Sequence, residues 1–121
     1  AVLKQVAERI RSSVRSNDAV GRFGGEEFLV VLSNCPAKET TKLAERIRCN
    51  VGREPVDVDS DVISVNVSIG VTTISKKMSA ENSIKQADLA LYQAKRLGKN
   101  QVRVYGAKES SNSGYPESGK V

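Results

Sequence analysis

Val2, Leu3, Val6, Ala7, Ile10 and Val14 recur at helical spacing, with Lys4, Glu8, Arg9 and Arg11 between them. That period predicts an amphipathic helix over residues 1 to about 15. No capping residue stands ahead of Val2, so the pattern reads as an element met partway through. Val20 to Phe23 and Glu27 to Leu32 are short β-prone runs around Gly24-Gly25, the pattern of an antiparallel hairpin. Pro36 suits the first turn of a second helix, whose Leu43, Ala44, Ile47 and Val51 share a face and whose stop is Gly52. From Val62 to Ile74, Val65, Val67, Ile69 and Val71 alternate with Ser64, Asn66, Ser68 and Gly70, which predicts a strand. A third helix follows, with Ile84, Ala87, Leu91, Ala94 and Leu97 as its buried stripe and Gly98 where a left-handed cap belongs. Gln101 to Tyr105 reads as a last short strand.

The order helix, hairpin, helix, strand, helix, strand, with no internal repeat, predicts an α+β fold, an α/β sandwich of helices packed on a mixed sheet. Residues 1–105 make one domain. Residues 106–121, rich in Ser, Gly, Asn and Pro, read as a flexible C-terminal tail. The 121 residues suffice for one core and no more. No apolar run approaches the roughly 20 residues of a membrane span, and the start is a charged amphipathic pattern, not a secretion signal, so a cytoplasmic location is expected.

Histidine is absent, which excludes His-dependent acid–base catalysis, Ser-His triads and His metal sites. Catalysis by this chain has to use carboxylates, amines or a metal. Cys35 and Cys49 flank the expected second helix and would stand roughly 20 Å apart at about 1.5 Å per residue, too far for a disulfide. Both are expected to be free thiols in a reducing compartment. The net charge of +5 falls on the folded part, because Lys108 and Lys120 cancel Glu109 and Glu117 in the tail. A nucleic-acid reader would add stacking aromatics or a dense basic run, and neither is present. A small phosphorylated ligand fits the charge better.

Three groups of residues carry candidate chemistry. Glu26 and Glu27 follow the glycine turn and, being adjacent on a strand, point to opposite faces. Carboxylate oxygens suit Mg²⁺, and Gly24 and Gly25 leave room for a bulky ligand at the backbone. Solvated hairpin charges would show the same four residues. Lys95 and Lys99 lie near the end of the third helix and can hold phosphates as point charges, or simply complement the helix dipole. Arg15 and Asp18 form an Arg-x-x-Asp step before the hairpin, compatible with guanine or phosphate and equally with a local ion pair.

In combination and order, "RSNDAVGRFGGEEF" (15 to 28), "VNVSIGVT" (65 to 72) and "ADLALYQAKRLGKNQV" (87 to 102) resemble the GGDEF-type diguanylate cyclases, bacterial enzymes that join two GTP into cyclic di-GMP. The resemblance runs from Ala1 to Tyr105. It implies a nucleotidyl-cyclase-like fold with a mostly antiparallel central sheet, here without the family's first strand and helix. It implies that Gly24 to Phe28 is the active-site hairpin in its Gly-Gly-Glu-Glu-Phe form. Glu26 would then be a ligand for Mg²⁺ or Mn²⁺, and Glu27 would assist at the metal or at the attacking 3′-hydroxyl. Lys95 would hold GTP phosphates, and Lys99 stands where the family often has arginine, an exchange that keeps the charge and loses the bidentate fork.

The same resemblance implies an inhibitory site for product at Arg15, Asp18 and Arg46. Binding of product there would be feedback inhibition. Each domain would hold one GTP, so a homodimer is required for catalysis, and a membrane would be met only through parent domains outside this sequence. The family's first strand carries a further metal-binding aspartate and guanine-reading side chains, so the 121-residue chain alone is expected to be an inactive fragment. Two other readings remain at this point: a non-enzymatic cyclic di-GMP receptor, and an interaction or dimerisation module on the same fold.

Overall fold

Two helices carry the larger core. In a computed structural model that describes residues 2–23, 27–32 and 35–106, α1 spans Val2–Ser13 and buries Val6, Ile10 and Ser13. β1 (Ala19–Arg22) pairs antiparallel with β2 (Phe28–Val31), in the register Ala19↔Val31 to Arg22↔Phe28. The helix α2 (Ala37–Gly52) buries Ala44, Ile47 and Val51 on the face its period predicts. Val6, Ile10, Ile47 and Val51 form one cluster, against which Val20, Phe28 and Val30 of the hairpin and Val65, Val67 and Ile69 pack. The hairpin therefore rests by one face on the α1–α2 pair.

Two polar devices join those helices. The Asn50 amide donates to Ser13 Oγ at 2.8 Å, and Ser13 Oγ donates to the Arg9 carbonyl at 2.8 Å, so the buried hydroxyl is satisfied twice. Arg9 reaches from α1 across the C-terminal end of α2. Its Nη1 donates to the carbonyls of Val51 (2.7 Å) and Glu54 (2.5 Å), and its Nη2 to that of Pro55 (3.0 Å). A guanidinium there satisfies carbonyls that the helix end leaves without partners and sits at the negative end of the dipole.

β3 (Val56–Val58) and β4 (Asp61–Ile63) form a second hairpin that the sequence reading did not anticipate. Val58 pairs with Asp61 across the two residues Asp59 and Ser60, and Asp59 takes φ 55°, as such short hairpin turns require. β5 (Ile69–Val71) pairs in parallel with β6 (Val102–Val104), and α3 (Ala80–Arg96) makes the crossover between them. Ser79 caps α3, its hydroxyl accepting from the Asn82 amide at 3.0 Å.

The α+β class holds, with corrections to the expected elements. The described strands form three separate two-stranded ladders, two antiparallel and one parallel, and not one continuous central sheet. The strand expected from Val62 to Ile74 is β4 and β5 separated by residues 64–68, which belong to no ladder. Its alternation is nevertheless real: Val65 and Val67 pack on the core while Asn66 is exposed. The period reports which residues are covered, and pairing needs a neighbouring strand besides.

On α3 the buried residues are Ser83, Ala90 and Ala94, while Leu97 lies past the helix end and is 49% exposed, against the expected stripe. Small residues face β5 because its backbone comes very close to the helix at Gly70. Cys49 lies inside α2, not beyond it, and both cysteines are free thiols. The predicted tail lies outside the described residues from 107 onward.

Candidate functional site

Between α1 and β1 the chain turns in four residues, and the turn is closed by its own side chains. The Asp18 amide donates to the Arg15 carbonyl at 3.0 Å. In return the Arg15 amide and Nε each donate to Asp18 Oδ2 at 2.9 Å, and Nη2 donates to Oδ1 at 2.8 Å. The carboxylate of Asp18 has no exposed surface, whereas the Arg15 side chain is 44% exposed. Hydrogen bonding to Asp18 raises the Arg15 guanidinium further above its ordinary value, desolvation opposing it. The side-on fork fixes the plane of the guanidinium at the start of β1.

Beyond the far end of β1 the chain runs into the Gly-Gly-Glu-Glu segment that precedes β2. The Phe23 amide donates to the Glu27 carbonyl at 2.7 Å, just beyond the Arg22↔Phe28 pair, and Glu27 is exposed ahead of β2. Gly24, Gly25 and Glu26 lie outside the described residues. The four residues of β1, at about 3.4 Å each, put roughly 14 Å between the Arg15–Asp18 turn and the hairpin end. The two places are thus separate, on one rigid strand.

Arg15 faces a second cation from another element. A hollow of about 290 Å³ is lined by Arg15, Cys35, Pro36 and Leu43, by Arg46 of α2, and by Glu39 and Lys42, two turns and one turn before it. The structure so brings together Arg15, Asp18 and Arg46. The sequence reading missed Glu39 and Lys42, whose signal is their helical spacing to Arg46, Lys42 being four residues before it. A hollow of about 240 Å³ elsewhere is lined by Arg9, Ser12, Asn50, Arg53 and Glu54 and includes none of the expected site residues.

Lys95 is in the last turn of α3 and Lys99 three residues beyond its end, both exposed. The Lys99 amide donates to the Ala94 carbonyl at 2.9 Å, the long bond of a Schellman-type ending, after Gly98 with φ 129°. Lys99 and Asn100 also take positive φ, 62° and 48°. This turn is held from two sides: the Asn100 amide donates to Ser68 Oγ at 3.1 Å, and Arg48 Nη1 of α2 donates to Asn100 Oδ1 at 3.1 Å. Lys95 and Lys99 line neither hollow.

Among the described residues no group of three or more His, Cys, Asp or Glu side chains is placed to hold a metal. An exposed Glu27 with the adjacent Glu26 is still a donor set that fits Mg²⁺, which takes one or two protein carboxylates and completes its shell with water and substrate phosphate. Among the described residues no helix is long and apolar enough to cross a membrane.

The family model for the diguanylate cyclase GGDEF domain matches residues 1–101. Diguanylate cyclase A of Treponema denticola is 41% identical over 102 residues, 84% of this chain and 28% of that protein. A solved active GGEEF domain of a diguanylate cyclase from Vibrio cholerae is 31% identical with a TM-score of 0.73, covering 90% of this chain and 68% of that one. The GGDEF domain of DgcB from Caulobacter crescentus, solved in complex with c-di-GMP, is 28% identical with a TM-score of 0.78, covering 84% and 61%. The chain spans about a quarter of the length of the first curated relatives it matches. With its helices, its β1–β2 hairpin and its Arg-x-x-Asp turn in the matched order, this chain belongs to the GGDEF family of diguanylate cyclase domains.

Proposed function

We propose that this chain is the GTP-condensing domain of a diguanylate cyclase, which converts two GTP into cyclic di-GMP and two pyrophosphates. The observation that carries the reading is the family match across residues 1–101, which takes in the hairpin, the Arg15–Asp18 turn and the end of α3 in one span. Each 3′-hydroxyl attacks the α-phosphate of the other nucleotide. A P–O bond forms, the bond to the β-phosphate breaks, and the hydroxyl proton is lost. Mg²⁺, when bound, supplies neutralisation of charge on the phosphates. Glu26 and Glu27 would hold it at the hairpin, and Glu27 would also orient or deprotonate the hydroxyl. Gly24 and Gly25 leave space for the nucleotide, and Lys95 and Lys99 hold its phosphates from the end of α3.

One domain holds one GTP, so two copies meet face to face for both bonds to form, and the rate rises more steeply than linearly with protein concentration. Product binds at Arg15, Asp18 and Arg46 and inhibits. A cytoplasmic setting supplies the GTP and the magnesium. Residues 1–121 by themselves do not turn over GTP, a reading supported by their covering only 68% of a solved active GGEEF domain.

A second reading, a cyclic di-GMP receptor without catalysis, is favoured by one feature: Arg15 and Arg46 line a single hollow, and Asp18 holds Arg15 in place there. Equilibrium dialysis of the full-length protein separates the two, with Mg²⁺ and either cyclic di-GMP or a GTP analogue carrying a methylene α,β-bridge. The cyclase reading expects both to bind, the analogue losing affinity in Lys95→Ala and the dinucleotide in Arg15→Ala. Retention of the dinucleotide with none of the analogue favours the receptor.

A further inference from the structure

The wall of the Arg15–Arg46 hollow carries more charge than the expected product site uses. Arg15 is neutralised by Asp18, which takes two side-chain hydrogen bonds from it and is itself buried. Glu39 and Lys42, three residues apart on α2, approach one another to 3.9 Å, with side chains 58% and 68% exposed. Taken pairwise, those four charges cancel, and Arg46 is left as the one cation of the wall not set against an anion in these pairs. A cyclic dinucleotide brings two phosphates and two negative charges. A second cation is needed, and Lys42 lies four residues before Arg46 on the same helical face, lining the same hollow.

We propose that Lys42 is a phosphate-binding residue of the product site and that Glu39 sets the site's affinity by holding Lys42 when the hollow is empty. The inference rests on the reading of Arg15, Asp18 and Arg46 as that site. The Glu39–Lys42 pair is long and solvated, and exposed pairs of this kind contribute about 0–1 kcal/mol, so a dianion displaces Glu39 at little cost. Glu39 would then remain beside the bound phosphate as a like charge. Removing it relieves both the competition for Lys42 and that repulsion.

The test is isothermal titration of cyclic di-GMP into the full-length protein and its variants at low and at physiological salt. Lys42→Met keeps the aliphatic stem and loses the charge; its Kd should rise about three- to tenfold, more so at low salt, where screening is weaker. Glu39→Gln should tighten binding about two- to fivefold, and the gain should shrink when Lys42→Met is present. Both positions are exposed, and unchanged thermal midpoints will show that the fold is intact. If Lys42→Met and Glu39→Gln leave Kd unchanged while Arg15→Ala abolishes binding, the role of Lys42 is refuted and the site stands. If the wild-type protein binds no cyclic di-GMP, or Arg15→Ala and Arg46→Ala bind as well as the wild type, the site itself is wrong and the inference falls with it.

Discussion

Gly70 lies against the backbone of Leu91: a methyl group on its α-carbon would stand 2.3 Å from the Leu91 amide nitrogen and 2.3 Å from the Ala87 carbonyl oxygen. Both neighbours are main chain of α3, so no side chain can rotate out of the way. Overpacking usually costs about 1–3 kcal/mol, and a clash with helix backbone belongs at or beyond the upper end. Gly70→Ala should therefore lower the urea midpoint sharply. Gly52→Ala, whose nearest contact would be 3.4 Å from the Val65 carbonyl, should stay within about 0.5 kcal/mol of the parent. Equal midpoints for the two variants would show that β5 and α3 are not packed so closely.

Arg9 bridges the end of α2 and the turn after it with hydrogen bonds to three carbonyls. A lysine keeps the charge and the stem but has no planar fork to span them. Arg9→Lys should cost about 1–2 kcal/mol in chemical denaturation, and Arg9→Met slightly more, because the dipole contribution goes as well. Indistinguishable stabilities for all three proteins would mean that solvent serves those carbonyls equally well.

If product inhibits at the Arg15–Asp18 turn, the two residues act as one unit. Asp18→Asn is near in shape, but its amide can no longer accept with both atoms from the guanidinium. Arg15→Ala and Asp18→Asn should each raise the concentration of cyclic di-GMP giving half-inhibition by at least about tenfold, measured against the uninhibited rate of the same variant. Inhibition persisting in Arg15→Ala would place the regulatory site elsewhere.

The amphipathic periods of α1 and α2 were legible because burial on one face is what selects them: Val6, Ile10, Ile47 and Val51 lie where 3.6-residue spacing puts them. The hairpin of β1 and β2 was equally plain from its glycine turn. The β3–β4 hairpin escaped because its strands are only three residues each and its turn, Asp59-Ser60, contains no glycine. Val65 and Val67 misled in the other direction, since alternation records a covered face and says nothing of a hydrogen-bonded neighbour. Leu97 misled because a stripe extended by spacing alone ignores where the helix stops. At the site, local patterns singled out Arg15 and Asp18, whereas Lys42 and Glu39 gain meaning only when α2 is laid beside the turn that carries Arg15.

If this domain makes cyclic di-GMP, the full-length protein converts GTP to it in the presence of Mg²⁺. The nucleotides would be separated after incubation, with Glu27→Ala as the control. Cyclic di-GMP should form with two pyrophosphates released per molecule, and none should form in the control. Absence of product in the wild type, or product undiminished in Glu27→Ala, would contradict it.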